Sequence, residues 1–344
     1  MVRVTRNFQS EERLDPLVLE ALNAAYLDGW ADRRKISQSS AKARQLFYQC
    51  QEAIAYHLGI RADSLEFTGE PRLAFHLLFS GYLHDGKSLG YSAIDKKAIL
   101  AIARGVRSTE ISVSAQGQLE AIPDVDFLSF QIANGETGII QSPVETSARL
   151  ICDATTSGPY LPIPEGGEYA GAIFDSKSWG GPAGIGIFSI ADRAAWKNPL
   201  PHIEPVAAPH SYSLPLLIAS GVALEYWIKA RSEYNRVREM SRYLRSFFPE
   251  NVVGALDTSL PHITSLIFPG CISESLQRRI GENGFDVDSG SSCVSDDVKP
   301  SHVLANMGLN PQGHIQITIH KDAQRTDIDA LIEAIRSSVN AEMA

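Results

Sequence analysis

Short apolar, β-branched runs alternate with helical patterns through the middle of the chain, and this alternation constrains the fold most. Helical stretches such as residues 73–83 and 96–105 separate several of the runs. Strands that alternate with helices are typical of a mostly parallel sheet covered on both faces. The sequence therefore predicts an α/β fold with such a sheet. The strand-like runs are residues 64–69, 88–94, 110–115, 127–134, 149–155, 169–176 and 185–190.

The two ends of the chain show different patterns. Asp15 precedes Pro16 at the start of a helical run, as a cap residue followed by a first-turn proline does. Residues 194–215 carry five prolines and predict a loop, and residues 215–248 predict a long helix that bridges two domains. We expect an N-terminal arm (1–15), a large domain (16–215), and the bridging helix with a small α+β domain (216–344).

Composition excludes some classes of function. The formal net charge is −9, which disfavours binding to nucleic acid because such binding depends on clustered Lys and Arg. The first residues lack the apolar core of a signal peptide, and no run is long enough to span a bilayer. The four cysteines are far apart in sequence, which is typical of reduced thiols. We therefore expect a cytoplasmic protein without nucleic-acid or membrane partners.

Three ordered segments resemble the cysteine desulfurases of the class V aminotransferase superfamily. The segment 133–141 is similar to the family's A-N-N-E-T-G-x-x-Q, and Cys152–Thr156 with the later FDSKSWGGPAGIG is similar to its V-D-A-x-Q and S-x-H-K-x-x-G-P-x-G-x-G. Ser289–Cys293 with the later KPSHVLANMGL is similar to its S-G-S-A-C and x-P-S-x-V-L-x-x-x-G-L. Weaker similarity extends over nearly the whole chain.

The resemblance implies a fold-type-I, pyridoxal-phosphate-transferase-like structure. Its large domain has a mostly parallel seven-stranded sheet, a smaller α+β domain follows, and two chains form a dimer. It also implies a chemistry in which a lysine holds pyridoxal phosphate as an imine and a loop cysteine, here Cys293, accepts sulfur as a persulfide. Asp153 falls where the family keeps an aspartate against the pyridine nitrogen.

The lysine that anchors the cofactor is displaced in this sequence. Counting back four positions from Pro182, as the family motif requires, leads to Ser178, whose hydroxyl cannot form an imine. Lys177 lies one place earlier, where the family has its histidine. Lys177 serves as the anchor only if this loop is shifted by one residue, because adjacent residues of an extended segment point in opposite directions.

Other positions that the resemblance assigns to the cofactor site also differ. Lys96 replaces the histidine that stacks on the cofactor ring, and Glu70 with Pro71 falls in the phosphate-binding segment, where they add a carboxylate and remove an amide donor. The remaining positions divide into replacements and survivors. Thr156, Gly135 and Gln316 replace a glutamine, an asparagine and the substrate-binding arginine; Asn134 is retained, and Ser213 is the one remnant of a phosphate contact made across the dimer.

These differences lead to one hypothesis and two alternatives. The hypothesis is that the pocket holds no cofactor, that an amine from Lys96 or Lys177 neutralises Asp153, and that the protein acts through a partner in sulfur transfer. The partner is a second copy, an active desulfurase paralogue in a mixed dimer, or a sulfur-acceptor protein. The first alternative is an active pyridoxal-phosphate enzyme that uses Lys177 as the anchor and Cys293 as the persulfide carrier. In the second, Cys293 accepts persulfide from another protein and no cofactor is needed, although the acidic neighbours Asp296 and Asp297 disfavour a thiolate.

Overall fold

The computed structural model describes residues 6–164, 169–203, 207–290 and 300–344. The elements of the first half, in chain order, are β1 (Arg6–Phe8), α1 (Pro16–Asp28), α2 (Gln38–Leu58), β2 (Leu65–Thr68), α3 (Pro71–Tyr82), β3 (Ser88–Ser92), α4 (Lys97–Ala103), β4 (Arg107–Ile111), β5 (Phe127–Gln131), β6 (Arg149–Asp153), β7 (Tyr169–Asp175) and β8 (Gly186–Ile190). Those of the second half are α5 (Leu214–Lys229), α6 (Glu233–Ser246), β9 (Val252–Val253), β10 (Ile263–Ile267), α7 (Ser273–Glu282), β11 (Phe285–Val287), α8 (His302–Asn306), β12 (His314–Thr318) and α9 (Arg325–Met343). In this described part of the chain, none of the helices combines the length and apolar character needed to cross a bilayer.

The large unit is built on a seven-stranded sheet of order β2-β8-β7-β6-β5-β3-β4. Neighbouring strands from β4 to β7 are parallel, whereas β8 is antiparallel to both β7 and β2. The predicted mostly parallel α/β sheet is therefore confirmed. One strand lies earlier in the chain than predicted. The sequence predicts a strand at residues 110–115, whereas β4 pairs with β3 from Arg107 to Ile111.

Both faces of this sheet are buried, which explains its apolar strands. In β7, Ile173 packs with α3 and α4 on one face, and the adjacent Phe174 packs with α1, α2 and α5 on the other. β5 and β8 are buried along their whole length. Since successive side chains of a strand point to opposite faces, each strand contributes to two separate layers of core.

The small unit has its own core around a three-stranded sheet of order β12-β10-β9. Helices α6, α7 and α9 pack on it. The N-terminal β1 pairs in parallel with β11 and buries Phe8 in the same core. By its contacts, the start of the predicted N-terminal arm therefore belongs to the small unit.

The predicted long helix is interrupted at residues 230–232. α5 packs against α1 and α2 of the large unit, whereas Val237, Met240 and Leu244 of α6 face the small unit. A single straight helix could not direct its apolar side chains into both cores. The interruption at 230–232 therefore separates a helix packed on the large unit from one packed on the small unit.

The parallel strands bring four chain segments to one edge of the large sheet. The carboxyl ends of β3, β5, β6 and β7 lead into Asp95, Asn134, Thr155 and Ser178 respectively. Ligands of open α/β sheets bind outside the carboxyl ends of the strands. This edge, which faces the small unit, is where a functional site is expected.

Candidate functional site

A cavity of about 240 Å³ lies at this edge, between the large and small units. Residues from the large sheet, from the segment before α1, from α5 and from β12 form its walls. Lining side chains that bear on chemistry are Ser10, Glu12, Lys96, Thr155, Thr156, Tyr160, Lys177, Ser178, Trp227, Tyr234, His262, Gln316, Thr318, His320 and Lys321. The structure thus brings Lys96, Thr156, Lys177 and Ser178, four of the expected site residues, to one cavity.

Asp153, at the end of β6, is buried beside this cavity. Only 1% of its surface is exposed. Its Oδ1 accepts hydrogen bonds from the Thr155 amide at 2.9 Å and from the Thr155 hydroxyl. The Lys96 ammonium lies 3.9 Å from Asp153 Oδ2 and also donates to the Thr155 hydroxyl. Of the two predicted amines, Lys96 is therefore the one that forms an ion pair with Asp153, although Asp153 Oδ2 accepts no hydrogen bond from the described residues.

Lys177 and Ser178 lie in a short 3-10 turn, Ser176–Trp179, after β7. The Lys177 ammonium lies 3.2 Å from a carboxylate oxygen of Glu11 and is not paired with Asp153. The Ser178 hydroxyl oxygen lies 2.8 Å from the carbonyl oxygens of both Gly158 and Asp175, so it is satisfied by backbone. The two adjacent side chains thus make different contacts at the cavity wall.

The start of α3 is capped by its own sequence. Glu70 is the N-cap residue, and its carboxylate accepts a hydrogen bond from the Leu73 amide at 2.9 Å. Pro71 occupies the first turn and has no amide proton to donate. Thr68 donates its hydroxyl proton to the Glu70 carbonyl at 2.8 Å. At this helix start, the Leu73 amide is therefore engaged by Glu70 and Pro71 offers no amide proton.

Three further residues that the sequence assigns to the site form hydrogen bonds within the chain. The Asn134 side chain is buried, donates to Gln131 Oε1 at 2.8 Å and accepts from the amides of Glu136 and Thr137. Gln316 donates to the Gly135 carbonyl at 3.1 Å. Ser213 caps α5 by accepting from the Leu216 amide. All three make bonds that hold the fold in place.

A second cavity, of about 350 Å³, adjoins the first through Lys96 and Gly135 and contains two buried carboxyl groups. Burial raises the pKa of Asp95 to about 7 and that of Glu136 to about 7. The Asp153 charge adds to the effect at Asp95. One oxygen of each carboxyl group has no hydrogen-bond partner. Protonation near neutral pH is the physical response to such burial.

Sequence reasoning missed an aromatic wall and an acidic segment at the first cavity. Tyr160 stacks on His262 with ring centroids 4.3 Å apart and meets Trp227 and Tyr234 edge-on. Glu12 lies 3.2 Å from a ring nitrogen of His320. These residues come from distant parts of the chain, so no local motif signals their proximity.

The cysteines divide into three buried thiols and the predicted sulfur carrier. Burial raises the pKa of Cys50 to about 12 and raises those of Cys152 and Cys271 as well, which makes them poor nucleophiles. Cys293 lies outside the described residues. The proposed catalytic role of Cys293 therefore stays a prediction.

Similarity to known proteins covers almost the entire chain. No family model matches it. A cysteine desulfurase of Klebsiella pneumoniae is 23% identical, with 97% of this chain and 92% of that protein aligned. A protein named as a putative cysteine desulfurase of Bacillus subtilis is 25% identical over 89% of each chain.

Solved structures agree with this relationship at the level of the fold. A NifS-like protein superposes with a TM-score of 0.86 at 20% identity, covering 98% of this chain and 100% of its own. The apo cysteine desulfurase of Thermococcus onnurineus superposes with a TM-score of 0.84 at 15% identity, covering 98% and 95%. The chain is thus similar in sequence to cysteine desulfurases and shares the fold of these NifS-like and cysteine desulfurase structures.

Proposed function

We propose that this protein is a cysteine-desulfurase relative that does not use pyridoxal phosphate and acts through a protein partner in sulfur transfer. The observation that carries the proposal is the position of Lys96. Its ammonium provides the positive charge near Asp153 that a protonated pyridine ring supplies in the family. The Lys96 ammonium of the chain itself thus balances the negative charge of Asp153, the residue that orients the cofactor in the family.

The opposite end of the family's cofactor position supports the same proposal. Glu70 places a carboxylate at the start of α3 and accepts the Leu73 amide proton. A phosphate there would meet this negative charge and would find no donor at Pro71. The residues present therefore do not fit the phosphate group.

The anchoring position is also unsuited to the cofactor. Ser178 presents a hydroxyl that is held by two backbone carbonyls, and an alcohol cannot form an imine. Ser178 and Glu70 therefore leave the covalent link and the phosphate without their usual partners, whereas Asp153, the usual partner of the ring nitrogen, is retained with the Lys96 ammonium 3.9 Å away.

A role through a partner follows from what the chain retains. The sheet order, both cores and the two-unit organisation are intact, and similarity extends over the chain as a whole. Fold alone does not set function. A fold that is kept while the cofactor-binding residues are replaced is expected of a protein that acts by binding another protein through its surface. We propose a cytoplasmic dimer, formed with a second copy or with an active paralogue, that takes part in sulfur delivery to an acceptor protein.

The test is to load the purified protein with excess pyridoxal phosphate, remove the excess and record the visible spectrum before and after borohydride. We expect no aldimine band, no mass increase after reduction, and no alanine or sulfide formed from cysteine. A band that Lys177→Ala abolishes would overturn the proposal. Lys42→Ala, which removes an exposed lysine of α2, is the control for non-specific modification.

An active enzyme anchored by Lys177 is the second candidate, because Lys177 lines the same cavity as Lys96. In that case the band, the adduct at Lys177 and cysteine turnover appear together. In the current geometry the Lys177 ammonium contacts Glu11, so Glu11→Gln should increase adduct formation if this candidate is correct. No adduct in either protein excludes it.

Sulfur transfer through Cys293 needs a separate experiment. We propose mixing the protein with an active desulfurase and cysteine and then labelling persulfides. Label on the wild type and none on Cys293→Ser supports the relay. Equal labelling of the two contradicts it, and Cys50→Ser serves as the control because that thiol is buried.

A further inference from the structure

A segment before α1 forms part of the wall of the first cavity. This segment, residues 9–15, is called the strap below. Its start is fixed by the pairing of β1 with β11 and its end by Asp15, which caps α1. Between these points Ser10 and Glu12 line the cavity. Side-chain contacts of residues 9–15 therefore decide whether this part of the wall stays in place.

His320, just after β12, makes the most buried of these contacts. One ring nitrogen, Nε2, lies 2.8 Å from the Gln9 carbonyl oxygen, and the other, Nδ1, lies 3.2 Å from a carboxylate oxygen of Glu12. Both partners are acceptors only. A neutral imidazole has a single N–H, so both contacts form hydrogen bonds only when the ring is an imidazolium.

The surroundings of His320 favour that charged form. Burial of the ring lowers its pKa, but the hydrogen bond and the charge of Glu12, the Gln9 carbonyl and the charge of Asp322 together raise the pKa of His320 above its usual value. His262 lies beside His320, with its carbonyl accepting the Ile319 amide at 2.8 Å, and burial lowers its pKa to about 3, so it stays neutral.

The strap makes other ionic contacts that respond less to pH near neutrality. Lys177 contacts Glu11, and Lys321 lies 3.3 Å from Asp15. Asp288 accepts from the Ser10 amide at 2.6 Å. Histidine is the side chain whose ordinary pKa lies nearest to neutral pH. His320 is therefore the group at the strap suited to change charge near neutral pH.

We propose that the strap is a proton-dependent gate in the wall of the first cavity, held closed by the imidazolium form of His320. When the pH rises through the pKa of His320, the ring loses one proton and one of its two hydrogen bonds to the strap. Because the pKa is raised on docking, the stabilisation is complete below the pKa of the free side chain and is lost as the pH rises through the docked value. The gate concerns access to the cavity and does not depend on whether pyridoxal phosphate binds.

Amide hydrogen exchange of the peptide covering residues 6–15 tests the gate. Exchange is measured at about pH 6 and about pH 8.5 and corrected for the intrinsic pH dependence, with the His320 imidazole followed by NMR in the same samples. We expect the protection of the Ser10 amide to fall at the higher pH, by up to about tenfold for each unit by which docking raises the pKa. Equal protection at both pH values while His320 titrates would overturn the proposal.

Two variants and one control assign the effect to His320. His320→Gln retains one donor and no titration, so its strap protection should not depend on pH. Glu12→Gln should move the transition to lower pH. His76→Gln, at an exposed position of α3, should behave as the wild type. A wild-type pH response in His320→Gln would contradict the proposal, and if that variant does not fold, an unchanged transition in Glu12→Gln contradicts it as well.

Discussion

The two ends of the family's cofactor position have changed in opposite electrostatic directions. At the ring end, next to Asp153, the chain has introduced the positive charge of Lys96. At the phosphate end, at the start of α3, it has introduced the negative charge of Glu70. Each new group has the sign of the part of the cofactor that would lie there. Oδ2 of Asp153 accepts no hydrogen bond from the described residues, so its compensation at the ring end is the charge of the Lys96 ammonium 3.9 Å away.

The ends differ in burial, and burial sets how much each substitution matters. Asp153 is 1% exposed, whereas Glu70 is exposed at the surface of the large unit. A charge left unpaired in the interior costs several times more than a lost contact at the surface. The ring end should therefore respond more strongly to mutation than the phosphate end.

The largest expected effect is at the ring end. Lys96→Met should lower the free energy of unfolding by about 2 kcal/mol at neutral pH, because it leaves Asp153 buried without its cation while Lys96 itself is partly exposed. Denaturant unfolding measures this loss. Adding Asp153→Asn should recover most of it. Lys42→Met, which breaks an exposed pair with Asp28, is the control and should cost less than about 0.5 kcal/mol. If Lys96→Met leaves the free energy of unfolding unchanged, the ring end is no more sensitive to mutation than the phosphate end, and the prediction is wrong.

The next effect concerns the carboxyl group beside the ring end. Burial raises the pKa of Asp95 to about 7, so the folded protein binds a proton that the unfolded chain releases at lower pH. The stability contributed by this proton is complete below the pKa of the unfolded side chain and is lost as pH rises through about 7. Asp95→Asn should therefore be more stable than the wild type above that pH. Unfolding curves that fall with pH equally in both proteins would contradict this assignment.

A smaller effect is expected at the phosphate end. Glu70→Ala removes the cap of α3 and should cost about 1 kcal/mol, about half of the loss expected for Lys96→Met. Denaturant unfolding again provides the measurement. Glu239→Ala, at an exposed position inside α6, is the matched control and should have almost no effect. A larger loss of unfolding free energy in Glu70→Ala than in Lys96→Met would contradict the expectation that the ring end is the more sensitive.

The smallest effect is expected for Lys177→Gln. The contact between Lys177 and Glu11 joins two largely exposed side chains, and such pairs contribute less than about 1 kcal/mol. Thermal and denaturant unfolding should both match the wild type within about 0.5 kcal/mol. A greater loss of stability would show that Lys177, and not only Lys96, stabilises the folded cavity.

Much of the large unit could be predicted because local signals agree with the fold. Asp15 and Pro16 mark the start of α1, and the apolar runs that form β5 to β8 are each bounded by turn residues. The interruption between α5 and α6 could not be predicted, since residues 230–232 contain neither glycine nor proline. Which core each helix faces is a tertiary property that periodicity does not encode.

The candidate site was predicted where it follows a motif. The resemblance to cysteine desulfurase motifs assigns Asp153, Lys96 and Ser178 to the site, and in the structure they lie at the carboxyl edge of the sheet. Glu12 and His320 escaped prediction because they are separated by some three hundred residues of chain and meet only after folding. A single sequence carries no signal for such a pair.

Titration calorimetry of the protein with pyridoxal phosphate measures cofactor binding whether or not an imine forms. We expect no saturable binding and no rise in the unfolding temperature at any excess of the cofactor. One-to-one binding, with stabilisation that grows with cofactor concentration as specific binding to the folded state requires, would contradict the claim that Lys96 and Glu70 have replaced the charges of the cofactor.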